Sequence, residues 1–152
     1  MTSSLRIHRL TPPDLALVRE LNAVFAVAFH DADSYGAAPA ADGYLADLLA
    51  RDPVIVLVAL QANAVVGGLV AYELPKLEQA RSEIYIYDLA VADAFRRQGV
   101  ATRLIQELRL LAHARGAWVV YVQADHGDEA AIALYSKLGT REDVLHFDLP
   151  VP

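Results

Sequence analysis

The sequence predicts an α/β (α+β) fold in which helices flank one mixed, mostly antiparallel sheet. Apolar runs of strand length alternate along the chain with amphipathic stretches of helix length. The early strands are joined by a short hairpin turn, whereas the later strands are separated by helices, as in βαβ units. The 152 residues contain no linker and no internal repeat, so we expect residues 1–152 to form a single domain.

The N-terminal third predicts one strand and two helices. Residues 5–10 are typical of a short strand, and two prolines then precede a helix over residues 14–29. Residues 30–43 are polar and acidic and contain a proline and two glycines, which predicts a loop. A second short helix over residues 44–50 ends before Pro53. The apolar stripe of the first helix contains Leu15, Val18, Leu21, Val24 and Phe25.

The rest of the chain predicts five strands and two helices, each helix followed by a glycine at its end. The predicted elements are, in order, a strand over 54–60, a turn over 61–63, strands over 65–74 and 84–91, a helix over 101–113, a strand over 118–123, a helix over 128–138 and a final strand over 144–149.

Composition excludes several classes of function. Without cysteine, the chain has no disulfide, no thiolate metal site and no cysteine nucleophile. The net charge of −6 argues against binding of nucleic acid and favours a small cationic substrate. No second histidine lies at ligand spacing from His126, so no metal is expected. No apolar run approaches the ~20 residues that span a bilayer, and residues 1–9 lack a signal-peptide core, so we expect a cytoplasmic protein without membrane contact.

The most informative stretch is the loop between the strand over 84–91 and the helix over 101–113. Backbone N–H groups at a helix N-terminus, flanked by arginines, bind phosphate readily. Gly99 lets the main chain turn tightly and approach a ligand. The stretch matches neither common nucleotide-binding loop, so we expect the pyrophosphate of another cofactor, unless this is an ordinary turn with solvated arginines. Its residues are Arg96, Arg97, Gln98, Gly99, Val100 and Ala101.

This loop resembles the acetyl-CoA loop of the GNAT N-acetyltransferases, (Q/R)-x-x-G-x-(G/A), with Arg96, Gly99 and Ala101 at the defined positions. Residues 130–139, AAIALYSKLG, resemble the A-x-x-L-Y-x-K-x-G helix of the same family. The order of elements is also similar to the GNAT fold from end to end. More narrowly, the chain looks like the aminoglycoside 3-N-acetyltransferases of the gentamicin-modifying type at SEIYIYDLAV (82–91), RRQG (96–99) and YVQAD (121–125).

The resemblance implies an enzyme that transfers the acetyl group of acetyl-CoA to an amine by direct nucleophilic attack. The acceptor would be an aminoglycoside at its 3-amino group, and the activity would confer antibiotic resistance. A homodimer is expected from the family alone. The backbone of Leu89, Ala90 and Val91 would bind the pantetheine arm like an added strand. The pyrophosphate would be held by Arg96, Arg97, Gln98, Gly99, Val100, Ala101 and Thr102.

Asp88 is predicted to bind the amine or to remove its proton. An alkylammonium group with a pKa of about 10.4 is neutral in only about one molecule in 10³ at pH 7, so a positioned base accelerates transfer. Asp88 would take the proton directly or hold the ammonium while a water does so. The alternative is that Asp88 caps the following loop or pairs with an arginine, since a carboxylate in an apolar strand needs such partners.

Tyr135 is predicted from the family's helix motif to protonate the leaving CoA thiolate. From the residues alone, the favoured interpretation is that Tyr135 is a core tyrosine whose hydroxyl lies at the rim.

Acidic residues would line the entry of the amine. Strand alternation puts Glu83, Tyr85 and Tyr87 on one face, and Asp88 joins them only if the strand bulges. A polycationic aminosugar needs several carboxylates, because each exposed ion pair contributes little. Asp128 and Glu129 are equally explained as favourable charges at a helix N-terminus. The further acidic candidates are Asp125, Asp128, Glu129, Asp31 and Asp33.

Two other functions remain open. The protein could be a GNAT enzyme for another cationic amine, such as a polyamine, a small amine or a protein amine, which a narrow cleft would favour. It could also be a non-catalytic acyl-CoA-binding module, against which Asp88 and Tyr135 argue.

Overall fold

The computed structural model describes residues 4–152. The strands are Arg6–Arg9 (β1), Val54–Gln61 (β2), Ala64–Pro75 (β3), Ser82–Val91 (β4) and Ala117–Val122 (β5). The helices are Leu15–Ala28 (α1), Asp42–Ala50 (α2), Val100–Ala114 (α3) and Glu129–Leu138 (α4). The five strands form one sheet in the order β1-β2-β3-β4-β5, with β1 to β4 antiparallel and β5 parallel to β4. The predicted mixed, mostly antiparallel sheet flanked by helices is confirmed.

The final strand predicted over residues 144–149 is wrong for the single chain. These residues are extended and exposed, and among residues 4–152 no strand pairs with them. A strand is stabilised by hydrogen bonds to a neighbouring strand, and the sequence pattern alone cannot supply that neighbour. The predicted loop over residues 30–43 also differs, because Asp33–Ala37 form a π-helical turn and α2 begins at Asp42.

Each face of the sheet has its own hydrophobic core. On one face α3 packs through Leu104 and Leu108, both fully buried. On the other face α1 packs through Leu21 and Phe25, and α2 lies beside it. Burial of each such side chain contributes about 1.5–3 kcal/mol, so the apolar stripes determine which face each helix covers. Among the described residues, none of the helices combines the length and apolar character needed to cross a bilayer.

Gly68 on β3 allows α1 to approach the sheet closely. A Cβ atom at this position would lie 2.5 Å from Leu21 Cδ1 and 2.7 Å from the carbonyl oxygen of Leu57. Any side chain would therefore push α1 away from the sheet. Because Gly68 is paired with Ala90, two residues after Asp88, this contact also sets the distance between α1 and the candidate site.

The tyrosines of the sheet lie in one row on the face that α1 and α2 share. Tyr72 pairs with Tyr85, and Tyr85 pairs with Tyr121, so these three side chains point to the same side of β3, β4 and β5. Tyr72 is covered by the helices, whereas Tyr87 remains 63% exposed. The β4–β5 end of this face is therefore open to a ligand.

Candidate active site

A β-bulge in β4 brings Asp88 to the open face. Val70 pairs with Asp88 whereas the next residue of β3, Ala71, pairs with Ile86, so Tyr87 is the extra residue. The bulge shifts the alternation by one position, and Asp88 joins Tyr85 and Tyr87 on one side. From the sequence, a bulge in this strand was required for Asp88 to reach the face of Tyr85 and Tyr87, and β4 contains that bulge.

Asp88 is partly buried and has no cationic partner. Within residues 4–152, no lysine, arginine or histidine forms an ion pair with it. Its Oδ1 atom accepts a hydrogen bond of 2.8 Å from the Tyr35 hydroxyl. Burial raises the pKa of Asp88, and the bond from Tyr35 opposes that rise. Asp88 therefore does not pair with an arginine of the described chain, which was one of the alternatives from the sequence.

Tyr35 was not anticipated from the sequence, because it lies in the segment predicted as a loop. It packs against Phe25 and Phe29 of α1, with ring centroids 5.7 Å and 5.5 Å away. Burial and the neighbouring Asp88 raise its pKa, so the hydroxyl stays protonated and donates to the carboxylate. An aromatic residue in a polar loop was the one available signal.

Asp88 also lies on the wall of a cavity of about 180 Å³ between the sheet and α1 and α2. The remaining walls are largely apolar, with Tyr72 and Asn22 as the other polar groups that line it. A carboxylate on such a wall is poorly solvated, which makes it both a better base and a stronger partner for a cation.

Four tyrosines form an aromatic surface beside Asp88. Tyr85 stacks on Tyr121 at 4.8 Å and contacts Tyr87 edge-on at 5.9 Å, and Tyr87 lies 6.1 Å from Tyr72. The Tyr85 hydroxyl donates to Gln123 Oε1 at 2.9 Å. Burial, and to a lesser degree the charge of Asp88, raises the pKa of Tyr72 and of Tyr85. Neutral tyrosine rings of this kind attract cations.

Tyr72 and Tyr121 were also missed by sequence reasoning. Each is at an ordinary strand position, and their alignment with Tyr85 depends on the register of two strand pairs. The hairpin turn over residues 61–63 anchors the β2–β3 register, but it says nothing about which residues of β4 and β5 lie opposite.

The predicted acidic residues are not gathered into one cluster of free carboxylates. Glu83 accepts a hydrogen bond from Trp118 Nε1 at 3.1 Å and lies 3.7 Å from Lys76 Nζ. Asp128 Oδ1 accepts from the backbone N–H of Ala131 at 3.2 Å, which makes Asp128 the N-cap of α4. Asp31 accepts from the backbone N–H of Ser34 at 3.0 Å, while Asp125 is exposed after β5.

Strands β4 and β5 part before the end of β4. Their pairing runs from Ser82 to Ile86 on β4 and ends at Val122 on β5, whereas β4 continues to Val91. Among residues 4–152, β4 therefore has a strand neighbour beyond Ile86 on its β3 side alone. The backbone of Leu89, Ala90 and Val91 borders the resulting gap, which suits pairing with an extended, amide-containing ligand.

The loop over residues 96–101 has the conformation expected of an anion site. Gly99 adopts a left-handed φ of 78° at the N-cap of α3, and Arg97 has a φ of 61°. The first N–H groups of α3 have no side-chain cap, and its first turn contains no acidic residue. Arg96 Nε lies 3.2 Å from Asp93 Oδ1.

A cavity of about 420 Å³ lies between this loop and the end of α1. Its lining includes Arg96, Asp93 and His30. The rest of the lining is apolar, formed by alanines and a valine at the end of α1 and just beyond it.

Tyr135 lies on α4 and packs against the core on the α3 face of the sheet. Burial, with a smaller contribution from the charge of Asp128, raises the pKa of Tyr135 to about 12. The hydroxyl is therefore protonated at neutral pH and is available as a donor.

The structure can be compared with known proteins. It resembles an aminoglycoside acetyltransferase from an uncultured soil metagenomic sample, with 55% identity, coverage of 98% of this chain and 99% of that chain, and a TM-score of 0.96. A second aminoglycoside acetyltransferase from such a sample, in complex with sisomicin, is 31% identical over 97% of each chain, with a TM-score of 0.91. AAC(6')-Iy in complex with the bisubstrate analogue CoA-S-monomethyl-acetylneamine is 15% identical and covers 98% of this chain and 100% of that chain. Its TM-score of 0.77 shows a shared fold alone.

No protein with a curated description matches the sequence. Residues 17–140 match the model of the acetyltransferase (GNAT) family, which covers most of the chain. The open end of β4, the glycine turn before α3 and this match agree, and the chain belongs to the GNAT family of acetyltransferases.

Proposed function

We propose that this protein transfers the acetyl group of acetyl-CoA to an amine of an aminoglycoside, at the 3-amino group, and thereby confers resistance to the drug. Residues 1–152 would act as one catalytic domain. The observation that carries the proposal is Asp88, a partly buried carboxylate without a cation at an open aromatic surface. Such a group is poised to receive the positive charge of a substrate.

The GNAT family uses acetyl-CoA, and the residues present fit that molecule. The gap beside Leu89, Ala90 and Val91 fits the extended pantetheine arm with its amides, because this stretch of β4 has no β5 partner. The uncapped N-terminus of α3 and the left-handed Gly99 fit the pyrophosphate. There Arg97, Gln98, Val100, Ala101 and Thr102 would contribute backbone N–H groups, and Arg96 or Arg97 would add charge.

Bound acetyl-CoA supplies an acetyl thioester that a neutral amine attacks directly. Asp88 holds the incoming ammonium group and accepts its proton, directly or through a water. Deprotonation of an amine with a pKa of about 10.4 at pH 7 costs about 4–5 kcal/mol, which a base of raised pKa reduces. Tyr35 holds Oδ1 of Asp88, which leaves Oδ2 for the substrate. Tyr135 would donate its proton to the sulfur as the C–S bond breaks, and its phenolate would regain a proton from solvent.

The proposed acceptor rests on charge and on similarity. Aminoglycosides carry several ammonium groups, and the tyrosine surface with Asp88 attracts cations. Glu83 and Tyr87 lie further along the same face of β4, and Asp125 and Asp128 follow β5, where they would contact the outer amines. The similar proteins described above are aminoglycoside acetyltransferases, one of them in complex with sisomicin.

The test is thiol release from acetyl-CoA with gentamicin, sisomicin, kanamycin, spermidine and a lysine peptide as acceptors. We expect activity with the aminoglycosides, and NMR of the product should locate the new amide at the 3-amino group. The Asp88→Asn protein is the control for uncatalysed transfer. Expression in a susceptible bacterium should raise the inhibitory concentration of the same drugs.

Activity confined to spermidine or the peptide would overturn the aminoglycoside proposal and leave the family assignment intact. An amide at another amine would overturn the 3-amino assignment alone. CoA binding without transfer to any acceptor would support the acyl-CoA-binding module instead.

A further inference from the structure

The aminoglycoside reaction leaves one feature next to the base unused, the cavity between the sheet and helices α1 and α2. The cavity measures about 180 Å³, and its aliphatic walls come from α1, α2, β2 and β3. Its lining includes Val18 of α1 and Leu45 and Leu49 of α2, none of them more than 9% exposed. A sugar ring inside it would bury hydroxyl groups among walls that offer few hydrogen-bond partners, which is costly. The cavity is therefore unsuited to any ring of an aminoglycoside.

Asp88 joins this cavity to the open face of the sheet. The residue lines the cavity and yet remains partly exposed. Tyr72, which also lines the cavity, contacts Tyr87 of the aromatic surface with ring centroids 6.1 Å apart. Because Tyr35 binds Oδ1 of Asp88, Oδ2 is the oxygen that remains for a ligand. A molecule that enters the cavity from the open face therefore passes the carboxylate that the reaction uses.

The chemistry of the cavity defines the kind of molecule that it suits. Within residues 4–152, no cationic side chain pairs with Asp88. Small-molecule sites typically combine apolar walls with a few placed polar groups. Apolar walls that end at an unpaired carboxylate are complementary to an ammonium group with an apolar group behind it. Cavities with aliphatic walls stay free of water, so the apolar group displaces no bound water.

The volume of the cavity limits the size of that apolar group. A methylene group takes about 30 Å³, close to the share of one water in the liquid. A cavity of about 180 Å³ therefore holds about six carbon atoms.

We propose that the protein also binds and acetylates primary amines that carry a compact apolar group of up to about six carbon atoms. The ammonium group lies on Asp88 and the apolar group fills the cavity. The inference rests on the proposed function, because Asp88 is the base in both reactions. The amine passes one proton to Asp88 and forms the N–C bond of the amide while the C–S bond of the thioester breaks. The second amine proton ends on the released thiol, and Asp88 returns its proton to solvent.

The test compares a matched pair of amines with the whole protein. Hexylamine and 2-(2-aminoethoxy)ethanol have the same length and the same ammonium group, but oxygen replaces two of the carbons in the second. Calorimetry in the presence of CoA should give hexylamine a Kd at least about 20-fold lower than that of the polar amine. Thiol release from acetyl-CoA should favour hexylamine in the same order. From butylamine to hexylamine, each methylene should lower the Kd by about three- to fourfold, and octylamine should gain nothing more.

The outcomes separate this proposal from the aminoglycoside function. Equal affinity for the two amines, or no binding of hexylamine, overturns the proposal. Binding of hexylamine without its acetylation, in a protein that acetylates gentamicin, overturns the role of the apolar amine as an acceptor. Acetylation of hexylamine but of no aminoglycoside supports this proposal and overturns the aminoglycoside function. Binding without transfer to any acceptor overturns both.

Two variants of α1 locate the bound chain. Val18→Ala enlarges the cavity by about two carbon atoms, so the tightest-binding amine should change from hexylamine to octylamine. Val24→Ala, on the same helix but outside the cavity lining, should keep hexylamine as the tightest. The same preference in both variants overturns the placement of the apolar group in the cavity. Thermal unfolding verifies that both are folded, and kcat/KM for gentamicin should stay within about threefold of the native value in each.

Discussion

Two carboxylates on neighbouring strands of this sheet have opposite surroundings. Glu73 on β3 accepts a hydrogen bond of 2.8 Å from Arg115 Nη1 and one of 2.6 Å from the Ser82 hydroxyl. Asp88 on β4 accepts a hydrogen bond from the neutral Tyr35, and within the described residues 4–152 no cation pairs with it. Glu73 lies on the face of α3, and Asp88 lies on the open face. Glu73, whose partners belong to the protein itself, stabilises the fold. Asp88, which has no cation, is available to a ligand.

The largest effect expected from this comparison is on catalysis. Asp88→Asn keeps the size and the bond from Tyr35 but removes the charge and the base. We expect kcat/KM for an aminoglycoside to fall by about 10²–10³-fold, measured by thiol release. CoA affinity, measured by calorimetry, should be unchanged, because the pantetheine gap and the loop at Gly99 are intact. Activity within about threefold of the native value would exclude Asp88 as the base.

The same substitution should not destabilise the protein. Burial raises the pKa of Asp88 in the folded state, so the folded protein holds this proton more tightly than the unfolded chain does. The stability contributed by this group is therefore present at low pH and is lost as the pH rises through the folded pKa. Above that pKa the penalty of holding the buried charge is complete, and Asn removes it. Thermal unfolding at pH 7 should show an equal or higher melting temperature.

Glu73→Gln is the matched control and should have the opposite outcome. It removes the charge opposite Arg115, which keeps an ion pair with Asp52 at 3.2 Å, in a site where the side chains of Arg115 and Glu73 are 14% and 16% exposed. We expect a loss of about 1–2 kcal/mol in the free energy of unfolding, because the second ion pair and the hydrogen-bonding capacity of Gln limit the effect. Urea denaturation measures it. At a temperature where the variant is folded, its kcat/KM should equal that of the native protein. A large loss of kcat/KM would show that Glu73 also contributes to catalysis.

Tyr35→Phe should change the pH dependence of the reaction by a smaller amount. The bond from Tyr35 lowers the pKa of Asp88, so its removal should raise that pKa and move the acid limb of the kcat/KM profile to higher pH. At a pH on the acid limb of the profile, the rate should fall by about three- to tenfold. A profile that keeps its shape while the rate falls would show that Tyr35 acts only through packing against Phe25 and Phe29.

The smallest effect is expected for Tyr135→Phe. A thiolate whose conjugate acid has a pKa near 8.5 departs readily even without a proton, so kcat should fall by less than about tenfold with little change in KM. Since the pKa of Tyr135 is raised to about 12, neither protein should show an alkaline limb from this residue below pH 10. An alkaline limb in the native profile that the variant lacks would contradict this assignment.

Much of the fold was accessible from periodicity. Every helix and the first five strands lie within a few residues of the predicted positions, because each buries an apolar face whose period is local to the sequence. Residues 144–149 were the exception. Their alternation is strand-like and the structure keeps them extended, but among residues 4–152 no strand pairs with them, and no local pattern reveals whether a neighbouring strand is present.

The sequence by itself was enough to locate the loop at Gly99 that resembles the family's loop and to name Asp88 as the candidate base. It also predicted that Asp88 reaches the open face only if β4 bulges. These follow from residue types at fixed spacing along the backbone. Only the tertiary structure decided that the bulge falls at Tyr87, that Tyr35 reaches Asp88 across 53 residues, and that Tyr72 and Tyr121 flank Tyr85. Strand register and helix docking are set by side chains far apart in the chain, whose simultaneous packing no local pattern records.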